Sequence, residues 1–409
     1  MRGGAAASVY LVSAAGCCWF AFHGRAQFVD LHVYRLGGDA VLHGGFLYGL
    51  RFDGLPFTYP SFAAVLFAVV AALPFAVSAA LLAGASAVAL PVLLYLALRL
   101  PGPGDSLGLD SPAAWRVALL AGAAAVWLEP VRTTLGYGQI DLLLALLVLF
   151  DLAVAVRLPG FLPGFLPGIA IGLAAGIKLT PAIFIVYLFL TGRYRAACTA
   201  VIAFGVTVLA GLAVLPGASA WYWGGEFASP GHISPVQNPE NQSLLGVLAR
   251  TVPTAPVTTI WVPLACLVAV AGLFLARSAA RRGNDALGFC FCAVTGLLIS
   301  PISWTHHWVL AIPALLLAGV AVCRGFRCGQ VRMAACGGAG LVAVLILGWL
   351  RLARGVTGSN WLGLSASSLA SSAIYVVLGL GFLAVAAGYW LRSYRRKRHG
   401  VMPDLSGIV

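Results

Sequence analysis

The amino-acid sequence predicts an all-α polytopic membrane protein, on three observations. Hydrophobic residues make up 61% of the chain and charged residues 9%, with mean hydropathy +0.97, more apolar side chain than a soluble protein of 409 residues can bury. Uncharged apolar runs recur from end to end, and in lipid only helices and closed barrels satisfy the backbone. Arg clusters punctuate those runs, at Arg99, Arg157, "GRYR" (192–195), "ARSAARR" (276–282), "CRGFRCGQVR" (323–332) and "RSYRRKRH" (392–399). The net charge of +13 therefore reads as positive-inside topology rather than a nucleic-acid footprint, and no nucleic-acid partner is expected.

Threading the runs so that every Arg cluster falls on one side gives spans at 5–26, 75–99, 113–130, 140–157, 168–178, 181–192, 196–215, 255–276, 285–300, 308–322, 333–350 and 368–391. That is about twelve, both ends cytoplasmic, in a single integral membrane domain over 1–409. Residues 27–74 form an outer juxtamembrane segment, 216–254 an outer loop and 392–409 a basic cytoplasmic tail. Within the first of these, 58–74 reads as a re-entrant or surface segment, because the apolar run 58–98, with Pro60, Pro74 and Pro91, is too long for one span and short for three, and Pro breaks helices. Val29, Val33, Leu36 and Ala40, three or four residues apart, predict an amphipathic helix on the outer membrane surface. The nine Cys have neither disulfide-framework nor metal-pair spacing, and no metal or cofactor is expected.

The chain has only 12 Asp and Glu, so the placing of each is informative. Asp30, with His32, stands just beyond the first span. "EPVRTTLGYGQID" (129–141) sets Arg132, Gln139 and Asp141 at the outer turn between two spans, where charges are costly and usually paired or functional. Lys178 in "GIKLTP" is the only Lys before the tail and interrupts an apolar stretch; an ammonium at a broken helix suits a phosphate. "NPENQSLLGVLAR" (238–250) offers Asn241 and Gln242, able to bond sugar hydroxyls or to cap the helix that follows. "SPISWTHHWVL" (300–310) pairs His306 with His307 beside Trp304, and an imidazolium can neutralise a phosphate. No HExxH, Walker or GxSxG motif is present.

The segments "DLHVYRLGGDAVLHGGFLYG…LPFTYPSFAAVLF", "GYGQIDLLLA", "GIKLTP", "NQSLLGVLAR" and "SPISWTHHW", in this order, resemble glycosyltransferase family 87, the actinobacterial polyprenyl-phosphate-mannose-dependent α-(1→2)-mannosyltransferases of the GT-C class. The resemblance runs from Asp30 to Trp308 and departs from the family pattern at Ser61, where a second Pro is usual. A high content of Ala and Gly, with 23 Arg against 2 Lys, fits the GC-rich genomes of that group. The resemblance implies a GT-C membrane fold with outer-face juxtamembrane helices. It also implies a polyprenyl-phosphate-mannose donor and a mannosylated glycolipid acceptor such as a phosphatidylinositol mannoside or lipomannan. Transfer would take place on the outer face of the plasma membrane, among membrane lipids, with Asp30 as the catalytic carboxylate. Lys178, His306, His307 and Arg132 are then expected at the donor phosphate, and His32, Tyr34, Tyr59, Gln139, Asp141, Asn241, Gln242 and Trp304 at the substrates. Inversion from a β-linked donor needs one base, and a phosphate leaving group needs positive charge rather than a second acid. Competing expectations are a secondary transporter, for which broken helices are common, the same enzyme class with another polyprenyl-phosphate sugar, and a non-catalytic assembly subunit.

Overall fold

A computed structural model describes residues 3–23, 28–102, 111–155, 166–228, 235–252, 256–327 and 373–398. The chain is helical apart from one two-stranded hairpin, β1 (Arg51–Phe52) and β2 (Leu55–Pro56). The helices are α1 (Gly3–His23), α2 (Val29–His43), α3 (Ser61–Ala72), α4 (Phe75–Arg99), α5 (Ser111–Ala125), α6 (Glu129–Tyr137), α7 (Asp141–Phe150) and α8 (Ile169–Ile177). They continue with α9 (Ile183–Leu190), α10 (Tyr194–Val214), α11 (Pro216–Trp223), α12 (Leu244–Thr251), α13 (Val257–Arg281), α14 (Asp285–Ile299), α15 (Ile312–Arg327) and α16 (Ile374–Arg398).

Six helical segments are long and apolar enough to cross a bilayer: α1, α4, α10, α13, Thr305–Phe326 and Ile374–Arg392. The chain is a multi-pass membrane protein. A seventh crossing results if α5 and α6, which meet at a 77° bend, are counted together. The expected count of about twelve is thus not reached among the described residues; the span expected at 333–350 lies outside them. The shortfall has a simple cause. The runs at 168–178, 181–192 and 285–300 have the right composition but fold into helices of 9, 8 and 15 residues, and the run at 140–157, described to Ala155, is a helix of 10 residues continued by a five-residue π-helical turn. At 1.5 Å per residue each is shorter than the ~30 Å hydrocarbon core. Of these, α14 is buried on all sides, which explains its uniform hydrophobicity.

The break between α3 and α4 falls at Leu73–Pro74, where the prolines predicted it. Arg35 holds the break: its Nη1 donates to the carbonyls of Val70 (2.8 Å) and Leu73 (2.6 Å) and to Ser78 Oγ (3.1 Å), satisfying carbonyls that the end of α3 leaves open. The predicted stripe on α2 is corrected. Its buried face is Leu31, Val33, Tyr34, Gly37, Gly38 and Ala40, while Val29 and Leu36 are only partly covered. The missed signal was the glycine pair. A Cβ on Gly38 would lie 2.3 Å from the Phe67 carbonyl oxygen, so α2 packs directly on the backbone of α3.

Two ends of the molecule are distinct. At one, Arg99 ends α4, Pro101 accepts a bond from Ala286 N (2.9 Å), and Arg193 pairs with Asp285 (2.6 Å) at the start of α14. At the other lie Phe75, where α4 begins, the start of α2, and the segment that follows α14.

Candidate active site

Four chain breaks deliver polar side chains to the second end. Asp30 sits in the first turn of α2. Its helix is preceded by Phe28 in the left-handed conformation (φ 53°), fixed by a bond from Phe28 N to Gly136 O (3.0 Å). Gln139 and Asp141 lie in the turn from α6 to α7, which Gly138 makes possible with φ 69°. At the end of α8, Lys178 turns extended (φ −149°), and Pro181 prevents the helix from running on. His306 and His307 belong to the 3₁₀ segment Thr305–Ala311.

Their side chains form two touching groups. In the first, Tyr34 OH donates to Gln139 Oε1 (2.5 Å) and Gln139 Nε2 reaches Tyr59 OH (3.4 Å), while the two tyrosine hydroxyls stand 3.3 Å apart. The Gln139 amide also hydrogen-bonds the Asp30 carboxyl. In the second, Lys178 Nζ donates to Asp141 Oδ1 at 2.6 Å, and His306 Nε2 stands 3.8 Å from Asp141 Oδ2. The His306 and His307 rings meet edge to face at 4.8 Å. Tyr59 joins the groups, with the Lys178 ammonium 5.6 Å from its ring centre.

Asp30 Oδ2, Asp141 Oδ2, both nitrogens of His306 and His307 Nδ1 are buried without a hydrogen-bond partner among the described residues. Buried polar atoms without partners cost free energy, so this cluster is a candidate binding site. Burial pushes the Asp30 carboxyl up to about 7; the Gln139 hydrogen bond and the Lys178 charge pull it down, and the charges of Asp141 and Glu240 push it up.

The donor atoms of Asp141, His306 and His307 lie within 4.8 Å of one another, a set able in principle to hold a divalent metal. The Lys178 ammonium on Asp141 opposes a second cation there. Ammonium and imidazole donors suit an anion better. Lys178 and His307 also line a cavity of about 320 Å³, whose far walls are apolar: Ile183, Phe227 and Ile299. Trp304 and Tyr59 line it too.

Of the residues the sequence pointed to, Asp30, Tyr34, Tyr59, Gln139, Asp141, Lys178, Trp304, His306 and His307 come together, and four do not. His32 is sandwiched between the rings of Phe52 (4.2 Å) and Phe75 (4.3 Å), holding the hairpin to α2. Arg132 lies toward α1, within electrostatic reach of Cys17. Asn241 and Gln242 are fully buried, and their side chains serve the backbone. Asn241 Oδ1 accepts from Ser303 N (3.0 Å) and its amide donates to Val236 O and Pro301 O, while Gln242 donates to Pro239 O and accepts from Tyr375 N. Ser243 caps α12 through Gly246 N (3.0 Å). The motif thus clamps residues 301–304, from which the histidine pair projects. Sequence reasoning missed Tyr137, whose ring stands 5.7 Å from His306, and Glu240, which accepts from Tyr137 OH (3.4 Å). It also missed Tyr375 of α16, which donates to Glu129 and stacks on Trp308 at 5.3 Å. The scarcity of acids was the signal available for Glu240.

The model of glycosyltransferase family 87 matches residues 57–301. The chain belongs to this family. It is similar to a Mycobacterium tuberculosis protein, "Polyprenol-phosphate-mannose-dependent alpha-(1-2)-phosphatidylinositol mannoside mannosyltransferase", at 32% identity over 90% of this chain and 88% of the relative. A Mycolicibacterium smegmatis protein of the same name is 33% identical over 90% and 88%. Another from that organism, named for a phosphatidylinositol pentamannoside acceptor, is 35% identical over 82% and 77%. No solved structure matches the chain.

In this family 87 glycosyltransferase, a Cβ on Gly138 would stand 2.9 Å from Leu31 Cβ and 3.1 Å from Phe28, at a positive φ that side chains disfavour. Gly138→Ala therefore pushes the start of α2, and Asp30 with it, away from Gln139. Glycosyl transfer by the purified variant is expected to fall at least about tenfold, since misplacing a reacting group by ~1 Å costs up to about 10²-fold. Full activity would show that the contact does not position Asp30.

Proposed function

We propose that this glycosyltransferase is an inverting mannosyltransferase: it moves mannose from a polyprenyl-phosphate donor to a mannosylated phosphatidylinositol-type glycolipid, forming an α-(1→2) linkage at the outer face of the plasma membrane. The donor and the linkage are common to the names of all the relatives above, whereas the acceptor differs among them. Sidedness is supported by the two ends of the fold. The Arg193–Asp285 pair and Arg99 lie at one end, which the positive-inside rule makes cytoplasmic, and the clustered polar residues lie at the other.

One observation carries the reading: the Asp30 carboxylate, which has a buried, unpartnered oxygen, is joined through Gln139 and Tyr59 to the separate group of Lys178, Asp141 and His306. Asp30 takes the proton of the acceptor hydroxyl as its oxygen attacks the anomeric carbon. The bond from that carbon to the phosphate oxygen breaks, and polyprenyl phosphate leaves with one more negative charge. Lys178, with His306 and His307 beside it, stabilises that charge, so no general acid is needed. Asp141 holds the ammonium in place. The apolar cavity walls take the first isoprene units of the donor, and Trp304 and Tyr59 flank the sugar.

Radiolabelled polyprenyl-phosphate-mannose and membranes carrying the protein test the reading, with transfer to a mannolipid expected. Asp30→Asn keeps the shape but cannot accept the proton, and should lose about 10²–10⁴-fold. In the wild type, kcat/KM should fall as pH drops through about 7, because the raised carboxyl is then protonated and no longer a base. An active Asn variant, or a rate flat from pH 8 to 5, contradicts the role of Asp30.

Lys178→Ala should raise donor KM strongly and leave acceptor KM nearly unchanged, with Lys178→Arg retaining part of the activity. An unchanged donor response would remove Lys178 from the phosphate site.

A further inference from the structure

Two half-length helices carry the ion pair, and they are clamped to each other at both ends. α7 begins at Asp141, and α8 ends beside Lys178, whose Nζ donates to Asp141 Oδ1 at 2.6 Å. At the far end a second carboxylate meets the start of α8. Asp151, which follows α7, accepts from Gly168 N (2.7 Å) and Ile171 N (3.0 Å). The two clamps are about ten residues apart along each helix, roughly 15 Å at 1.5 Å per residue.

The links between the clamps are rigid. Asp151 N donates to the carbonyls of Leu147 and Val148, so its backbone belongs to the last turn of α7. Lys178 N donates to Ala174 O (3.0 Å), so the lysine backbone belongs to the last turn of α8. The first N–H groups of an α-helix have no partner within it and project along its axis. Gly168, which starts α8 at φ 106°, brings no side chain to meet them. Apolar surroundings make that need acute, and the Asp151 carboxylate, itself buried, meets it from the neighbouring helix. Bonds to these N–H groups oppose movement of α8 along its axis. Sideways, α8 is held by close contact with α10: a Cβ on Gly172 would stand 2.4 Å from Ala200 O, and one on Gly176 2.0 Å from Thr207 Oγ1. The α10 contact sets the distance between the helices, and Asp151 sets the height of α8.

We propose that Asp151, at the end of the helix pair remote from the reaction, is a positioning residue for Lys178. Through α8 it fixes how far the ammonium reaches toward Asp141 and the 320 Å³ cavity that Lys178 lines. The inference rests on the proposed role of Lys178 at the donor phosphate. An ammonium displaced by ~1 Å along the helix axis meets that phosphate out of place, and misplacement on this scale costs up to about 10²-fold.

The test is steady-state transfer by the full-length protein in nanodiscs, with labelled polyprenyl-phosphate-mannose as donor and octyl α-mannoside as acceptor probe. Asp151→Ala is expected to raise donor KM about 10-fold or more and to leave acceptor KM within about twofold. Asp151→Asn, which keeps one accepting oxygen, should raise donor KM less. In a Lys178→Ala background, Asp151→Ala should not raise donor KM further, because residues that act through one contact are not additive. Unchanged donor KM in Asp151→Ala, or in Asp151→Asn where Ala prevents folding, overturns the assignment. A parallel rise in donor and acceptor KM, or a further rise in the Lys178→Ala background, also overturns it by showing a merely structural role. Absence of transfer by the wild type would instead overturn the reading of function. A cryo-EM structure of Asp151→Ala then decides this inference, with Lys178 Nζ expected more than about 3.5 Å from the Asp141 carboxylate; an ion pair that has not moved overturns it.

Discussion

The ion pair between Lys178 and Asp141 is the constraint around which the polar end of this protein is organised. Both groups are buried, and each is costly to hold in so apolar a surrounding without the other. Removing one partner from such a pair typically costs about 3–5 kcal/mol, because a lone charge is left behind. The fold meets the requirement with interruptions. Between α8 and α9 an extended residue and Pro181 break the helix so that the ammonium leaves the bundle side. Gly138 turns the chain from α6 into α7 so that the carboxylate begins a helix instead of lying within one. The loop before α12 clamps residues 301–304 so that His306 stands beside the pair.

This arrangement explains why one face of a highly apolar chain is polar. Asp30 is separated from the pair by Tyr59 and Gln139, so the carboxylate proposed to take a proton is not the one that pairs with the ammonium proposed to meet a phosphate. A carboxylate set apart from a lysine and a histidine pair suits the proposed departure of a phosphate, which leaves without a proton donor. The broken helix at Lys178 raised the alternative of a transporter. Membership of glycosyltransferase family 87 assigns the break to an enzyme.

Much of the site was legible because charge is rare here. Asp30, Asp141 and Lys178 stood out against apolar neighbours, and all three converge. Other expected site residues are engaged by the fold itself. Asn241 and Gln242 have the chemistry of sugar ligands, but they anchor a loop. His32, expected at the substrates, stacks between two rings. The span count exceeds the six or seven long apolar helices among the described residues because composition does not separate a full crossing from a half-length helix buried in protein, as α8, α9 and α14 show. The Tyr137–Glu240 contact joins residues about a hundred positions apart, with no local periodicity to announce it.

The most direct measurement of the central claim is a cryo-EM structure of the full chain in nanodiscs with a non-hydrolysable phosphonate analogue of a short-chain β-mannosyl polyprenyl phosphate. The account predicts phosphonate oxygens within hydrogen-bond distance of Lys178 Nζ, about 3 Å, with the chain along Ile183 and Ile299 and the Asp30 carboxylate across the anomeric carbon from the phosphorus. A phosphonate bound away from Lys178, or an Asp30 on the same side of the sugar as the phosphorus, would contradict it.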